Sequence, residues 1–125
     1  MRIAFLTDIH ANREAFEAVL ADVAEKQPDR IVLLGDYVGY GADPAWCVDK
    51  AMQLVEQGAV AVQGNHDAAV DNERDQMTAN AQITLAFTRG ELGQPQREFL
   101  AKLPLEVFEL PLQFVHADAS APAKW

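Results

Sequence analysis

The chain has 125 residues, half of them apolar, which suits one domain with a real core. Its formal net charge of −9 is a poor match for a nucleic-acid backbone, because binding there draws on Lys and Arg. MRIAFL at the start is too short for a secretory apolar region, no apolar stretch reaches the roughly 18 residues of a membrane span, and the single Cys47 allows no internal disulfide, so a cytoplasmic location is expected.

The first half alternates between two periodicities. RIAFL (2–6) reads as a short buried strand. Residues 13–26 read as a helix, because Phe16, Val19, Leu20 and Val23 recur at three- and four-residue steps, with Asn12 as N-cap and Pro28 beyond the end. IVLL (31–34) is a second strand. Asp43 and Pro44 suit the cap and first turn of a helix running to about 57, with Val48, Met52 and Val55 on one stripe and Gly58 as the stop. AVAV (59–62) is a third strand. This βαβαβ order predicts an α/β fold with a parallel sheet, and the unbroken apolar strands predict cover on both faces.

The second half predicts a helix over 79–91, capped near Thr78, with Ile83, Ala86 and Phe87 facing inward, and a short helix over 95–102. LEVFEL and LQFVH around Pro111 predict a β-hairpin. No linker or repeat divides residues 1–125, which read as a single domain.

Chemistry-bearing residues gather where strands end. Asp8 and His10 follow the first strand, Asp36 the second, and Asn65, His66 and Asp67 the third, while His116 closes the hairpin. Singly, each has an ordinary explanation as a cap, an Asx-turn or a core histidine. Jointly they are harder to dismiss, because all three histidines of the chain stand at strand ends beside Asp or Asn. Parallel sheets bind ligands at the carboxyl ends of their strands, so these groups converge on one rim. No GxGxxG or GxxxxGK[ST] occurs to cradle a nucleotide phosphate. Tyr37 and Tyr40 are candidates for substrate contact or for loop packing, and Arg13 and Arg74 for phosphate binding. Asp71, Glu73 and Asp75 read as a solvated acidic patch, Cys47 as buried and inert, and Trp46 and Met52 as core.

The order D-x-H, G-D, G-N-H-D and a later His resembles the signature of the calcineurin-like metallophosphoesterases. LLGDYVGYGADP with GNHDAAV is similar to a bacterial and archaeal branch holding small phosphodiesterases and serine/threonine phosphatase-like proteins. The resemblance runs from Met1 to about His116. It implies half of an αββα sandwich ending in a β-hairpin, and a hydrolase that cleaves phosphomonoesters or phosphodiesters, small molecules or nucleotides, with two divalent ions (Mn, Fe, Zn or Ni). By the resemblance, Asp8 and His10 hold one ion, Asp36 bridges the two, and Asn65 and His116 hold the second. His66 then faces the phosphate as a catalytic group, with Asp67 orienting its imidazole.

Two departures from the family pattern are conservative in expectation: Ala11 and Ala117 stand where Gly is usual. A third is larger. The family's later G-H-x-H is absent, so each ion has fewer protein ligands and part of the hairpin sheet is left bare. The chain accordingly reads as incomplete at its C-terminus. The alternatives are a homo-oligomer that covers the bare surface, or a catalytically impaired metal-binding module derived from the family.

Overall fold

Three short strands pair in parallel at the centre of the molecule: β1 (Ile3–Leu6), β2 (Arg30–Leu33) and β3 (Val60–Ala61), in that spatial order. The computed structural model describes residues 1–72, 77–122 and 124. Ala4 lies beside Ile31, and Leu33 beside Ala61. The crossovers are α1 (Arg13–Lys26) and α2 (Pro44–Glu56). Asn12 caps α1 by accepting the Ala15 N–H at 3.0 Å. Asp43 holds the N-cap position of α2, but its side chain makes no capping bond there.

Alternation along the strands divides the core in two. Ala4, Leu6, Ile31, Leu33 and Ala61 join the main cluster with Phe16, Val48, Ala51, Leu85 and Leu100 of the helices. Ile3, Val32, Val60 and Val62 point the other way and meet Val107 and Phe114. Those last two lie opposite each other in a hairpin formed by β4 (Glu106–Glu109) and β5 (Leu112–Val115). The parallel sheet is thus sandwiched between helices and hairpin. Arg30 pins the hairpin to β2 through two bonds of 2.9 Å to the Glu109 carboxylate.

Three expectations need correction. The third strand is only Val60–Ala61, because the chain turns at Gln63 to enter a short helix, α3 (Asn65–Ala69), that periodicity did not signal. The following helix, α4 (Ala79–Glu91), has the expected ends and the Thr78 cap, yet Ile83, Ala86 and Phe87 are exposed and its buried face is Ala81, Leu85 and Thr88. In α1, Val19 is also exposed and only Phe16 is fully buried. The last helix is α5 (Gln94–Lys102). On the hairpin, Phe108 and Leu110 remain exposed. No helix among the described residues is long and apolar enough to cross a membrane.

Candidate metal centre

The loops after β1 and β2 are stitched together by backbone bonds. Asp8 N–H donates to Gly35 O at 3.0 Å, His10 N–H to Asp36 O at 2.9 Å, and Ala11 N–H to Tyr37 O at 2.8 Å. Side chains distant in sequence are thereby fixed side by side. The stitching holds Asp8, His10 and Asp36 at φ of 55°, 47° and 58°. Left-handed backbone is costly for a non-glycine residue and persists only where surrounding structure enforces it. Ala11 has φ 55°, so the Gly-to-Ala departure falls in the one region where alanine is strained.

Asp36 is the hub. Its carboxylate is 2 % exposed. Oδ1 accepts the His66 backbone N–H at 2.9 Å. Oδ2 lies 3.6 Å from His10 Nε2 and 3.4 Å from His116 Nε2. His10 Nδ1 is 2.9 Å from Val38 O, and His116 Nδ1 is 2.6 Å from Leu34 O. A carbonyl oxygen can only accept, so both Nδ1 atoms carry the proton. In neutral rings both Nε2 lone pairs then face Asp36, and that of His116 also faces Asn65 Oδ1 at 3.0 Å. Lone pair against lone pair is repulsive unless a proton or a cation intervenes. Carbonyl-anchored histidines presenting Nε2 beside a carboxylate are the arrangement that metal ligands adopt.

Two donor sets satisfy the spatial needs of an ion. Asp8, Asp36 and His116 form one, and His10, Asp36 and His66 form the other, with ligand atoms within 4.8 Å in each. Asp36 belongs to both, in keeping with a bridging carboxylate. Asp8 lies close to both histidines of these sets, grouping with His116 while its Oδ1 is also 3.5 Å from His10 Nε2. His116 titrates above its ordinary value: burial opposes this, but its hydrogen bond to Asp36 and that residue's charge outweigh it.

His66 and Asp67 occupy the first turn of α3 and are buried. Asp67 does not orient the His66 ring, as was expected. Its Oδ2 accepts from Asp36 N at 2.7 Å and Gly64 N at 2.9 Å, and its Oδ1 accepts from Tyr37 N at 2.9 Å. A residue three positions into a helix reaches back to the cap, away from its neighbour's ring. Burial, reinforced by the charge of Asp36, pushes the Asp67 carboxyl up to about 7, against the pull of those three donors. The His66 Nδ1 is buried with no hydrogen-bond partner among the described residues. Burial lowers the pKa of this ring, opposed by the Asp36 charge.

These groups open into a cleft of about 320 Å³ that Asp8, His10, Asp36, Tyr40, Asn65 and His66 line. Met77, Thr78 and Ala81 of the segment entering α4 complete the wall, a contribution no sequence pattern announced. Tyr40 stands in the cleft, its ring centroid 5.0 Å from that of His10 and 4.9 Å from that of His66. Tyr37 is instead fully buried, and its hydroxyl donates to Val62 O at 3.0 Å. Arg13 turns from the cleft to lie 4.8 Å over the Trp46 ring, and Trp46 itself is half-buried. Asp71 pairs with Arg97 at 2.8 Å, while Glu73, Arg74, Asp75 and Trp125 lie outside the described residues.

Comparison with known proteins agrees with this geometry. The family model for calcineurin-like phosphoesterase matches residues 1–118. An uncharacterized protein of Methanocaldococcus jannaschii is 35 % identical over 129 aligned positions, which cover 98 % of this chain and 52 % of that protein. The crystal structure of a metallophosphoesterase from Sphaerobacter thermophilus superposes with a TM-score of 0.83 at 33 % identity, over 99 % of this chain and 50 % of that one. A hypothetical protein from Pyrococcus horikoshii shares the fold, with a TM-score of 0.77 at 21 % identity over 85 % of this chain and 49 % of its own. The chain spans about half the length of the relatives it matches.

Proposed function

The chain belongs to the calcineurin-like phosphoesterases, and from that premise we propose that it hydrolyses phosphomonoesters or phosphodiesters with two divalent cations held around Asp36. The observation that supports this reading is one buried carboxylate, Asp36, whose Oδ2 faces His10 Nε2 at 3.6 Å and His116 Nε2 at 3.4 Å. Asp8, His10, Asn65 and His116 are the further ligands, and the mixed oxygen and nitrogen donors favour Mn, Fe, Zn or Ni over an all-oxygen Mg site. When bound, such ions supply Lewis-acid neutralisation of phosphoryl charge and a nucleophilic water at neutral pH.

The protein's own residues do the rest. The Asp67 carboxylate ties the Asp36 and Gly64 backbones together and so fixes the spacing between ligand-bearing loops. The His10 and His116 rings are held in one tautomer by the Val38 and Leu34 carbonyls. His66 lines the cleft, where a ring N–H can stabilise charge developing on a phosphoryl oxygen or a departing alkoxide. The expected substrates are small phosphate esters or nucleotides.

Hydrolysis of bis(p-nitrophenyl) phosphate in the presence of Mn²⁺, abolished in Asp36→Asn, is the expected result. Intact diester and monoester under every divalent metal tried would remove catalysis from this chain. In that case the reading as a metal-binding module is left, and its own mark is bound metal without turnover.

A further inference from the structure

The cleft does not end at the metal ligands. A second hollow of about 520 Å³ adjoins it, and the two share Asp8, His10 and Tyr40. Tyr40 is therefore the partition between the place where phosphorus would sit and a larger open space. It is 53 % exposed, a large aromatic kept half in water beside two histidines.

Its position is enforced. Tyr40 has φ 63°, a conformation an aromatic residue does not choose. Glycine on each side allows the turn to sit hard against the histidine loops. A Cβ on Gly39 (φ +88°) would lie 2.5 Å from His66 Nδ1, and one on Gly41 would collide with the His10 carbonyl oxygen. The Gly41 N–H also donates to that carbonyl at 3.0 Å. A loop packed this tightly aims one ring into the cleft at the expense of backbone strain.

We propose that Tyr40 is a specificity-determining platform, on which a flat aromatic group esterified to the substrate phosphate packs while it occupies the second hollow. Aromatic rings gain from such contact beyond their burial, and a fixed platform costs little side-chain entropy. The hollow also limits what that group carries. Among the described residues its wall includes Asp8, Glu14 and Asp43 and no Lys or Arg, so a second phosphate on the aromatic group would meet these carboxylates. The favoured ester is one with an uncharged or cationic aromatic substituent. The inference rests on the phosphoesterase reading, and its test separates the two.

The test is calorimetric titration of the Mn²⁺-supplemented protein with phenylphosphonate and with methylphosphonate, alongside hydrolysis of bis(p-nitrophenyl) phosphate and methyl p-nitrophenyl phosphate. Wild type binds phenylphosphonate about fivefold more tightly than methylphosphonate. Tyr40→Phe keeps the ratio. Tyr40→Ala brings it to one at an unchanged melting temperature, and lowers kcat/KM for the bis-aryl ester more than for the methyl aryl ester. A ratio near one in wild type, an unchanged ratio in Tyr40→Ala, or no binding of either phosphonate overturns the platform. Hydrolysis without discrimination overturns the platform and leaves the phosphoesterase intact, whereas discrimination without hydrolysis upholds the platform and removes the activity.

Discussion

Asp67 holds the backbone of Asp36: its Oδ2 accepts the Asp36 N–H at 2.7 Å, with the carboxylate 2 % exposed. The hub of the candidate metal centre is positioned by a carboxylate that is not itself a ligand. Because Asp67 also receives the amides of Tyr37 and Gly64, an amide in its place must turn an NH₂ towards at least one N–H donor. Asp67→Asn is expected to destabilise the fold by about 1–3 kcal/mol, the scale of a buried N–H left without its acceptor. Urea denaturation measures it. A loss below about 0.5 kcal/mol would deny Asp67 this role.

Metal binding should appear as stability. A ligand at a hundredfold excess over its Kd stabilises by about 2.7 kcal/mol. Mn²⁺ is therefore expected to raise the melting temperature of wild type by several degrees, EDTA to reverse the rise, and Asp36→Asn to abolish it. The measurement is differential scanning calorimetry across a metal titration.

Ala11 tests the backbone strain around the site. It is 1 % exposed with φ 55°. Replacement by Gly relieves roughly 1 kcal/mol of left-handed strain and removes a methyl worth about 0.8 kcal/mol. The two nearly cancel, so Ala11→Gly should leave stability within about 1 kcal/mol. Ala11→Val adds bulk and β-branching at the same angle and should cost more than about 2 kcal/mol. Chemical denaturation of the pair gives both numbers.

Gly39→Ala should move the His66 ring. The new Cβ would sit 2.5 Å from Nδ1 at a backbone φ of +88°. The expected outcome is a shifted His66 side-chain resonance and a reduced turnover, with a stability loss of only about 1–2 kcal/mol. An unmoved resonance would mean the loop relaxes and the histidine does not depend on it.

Cys47 should be silent. It is fully buried, and burial pushes its thiol up to about 12, with Asp43 adding to the shift. The thiolate is the reactive form, so a raised pKa removes reactivity at every pH below that value. Ellman's reagent at pH 8 should label the native protein only at the rate of unfolding, and rapidly in urea.

How far the sequence foretold all this varies element by element. The strands and crossovers were legible because β1 and β2 read as unbroken apolar runs, although only β2 is covered on both faces and Phe5 of β1 stays exposed. Asn12 and Thr78 marked helix starts through capping chemistry that the structure bears out at 3.0 and 3.3 Å. The face of α4 was misread because two stripes compete at helical spacing and the bulkier one, Ile83 with Phe87, is the exposed one. The helix α3 was missed because Asn65–Ala69 is short and its N-cap is Gly64, which has no side chain to cap with, leaving only Asp67 reaching back to the Gly64 N–H. The rim itself was legible: Asp8, His10, Asp36, Asn65 and His66 line one cleft, and His116 reaches Asp36 from the hairpin. Which ligands group together, and that Asp67 grips backbone amides, depend on loop dihedrals that no residue pattern encodes.

The central claim is that Asp36 is shared by two ions. Anomalous scattering from crystals grown with Mn²⁺ tests it most directly. The account predicts two peaks about 3.5–4 Å apart, one on each side of the Asp36 carboxylate, with Asp8, His10, Asn65 and His116 divided between them. A single peak away from Asp36, or none at saturating metal, would contradict it.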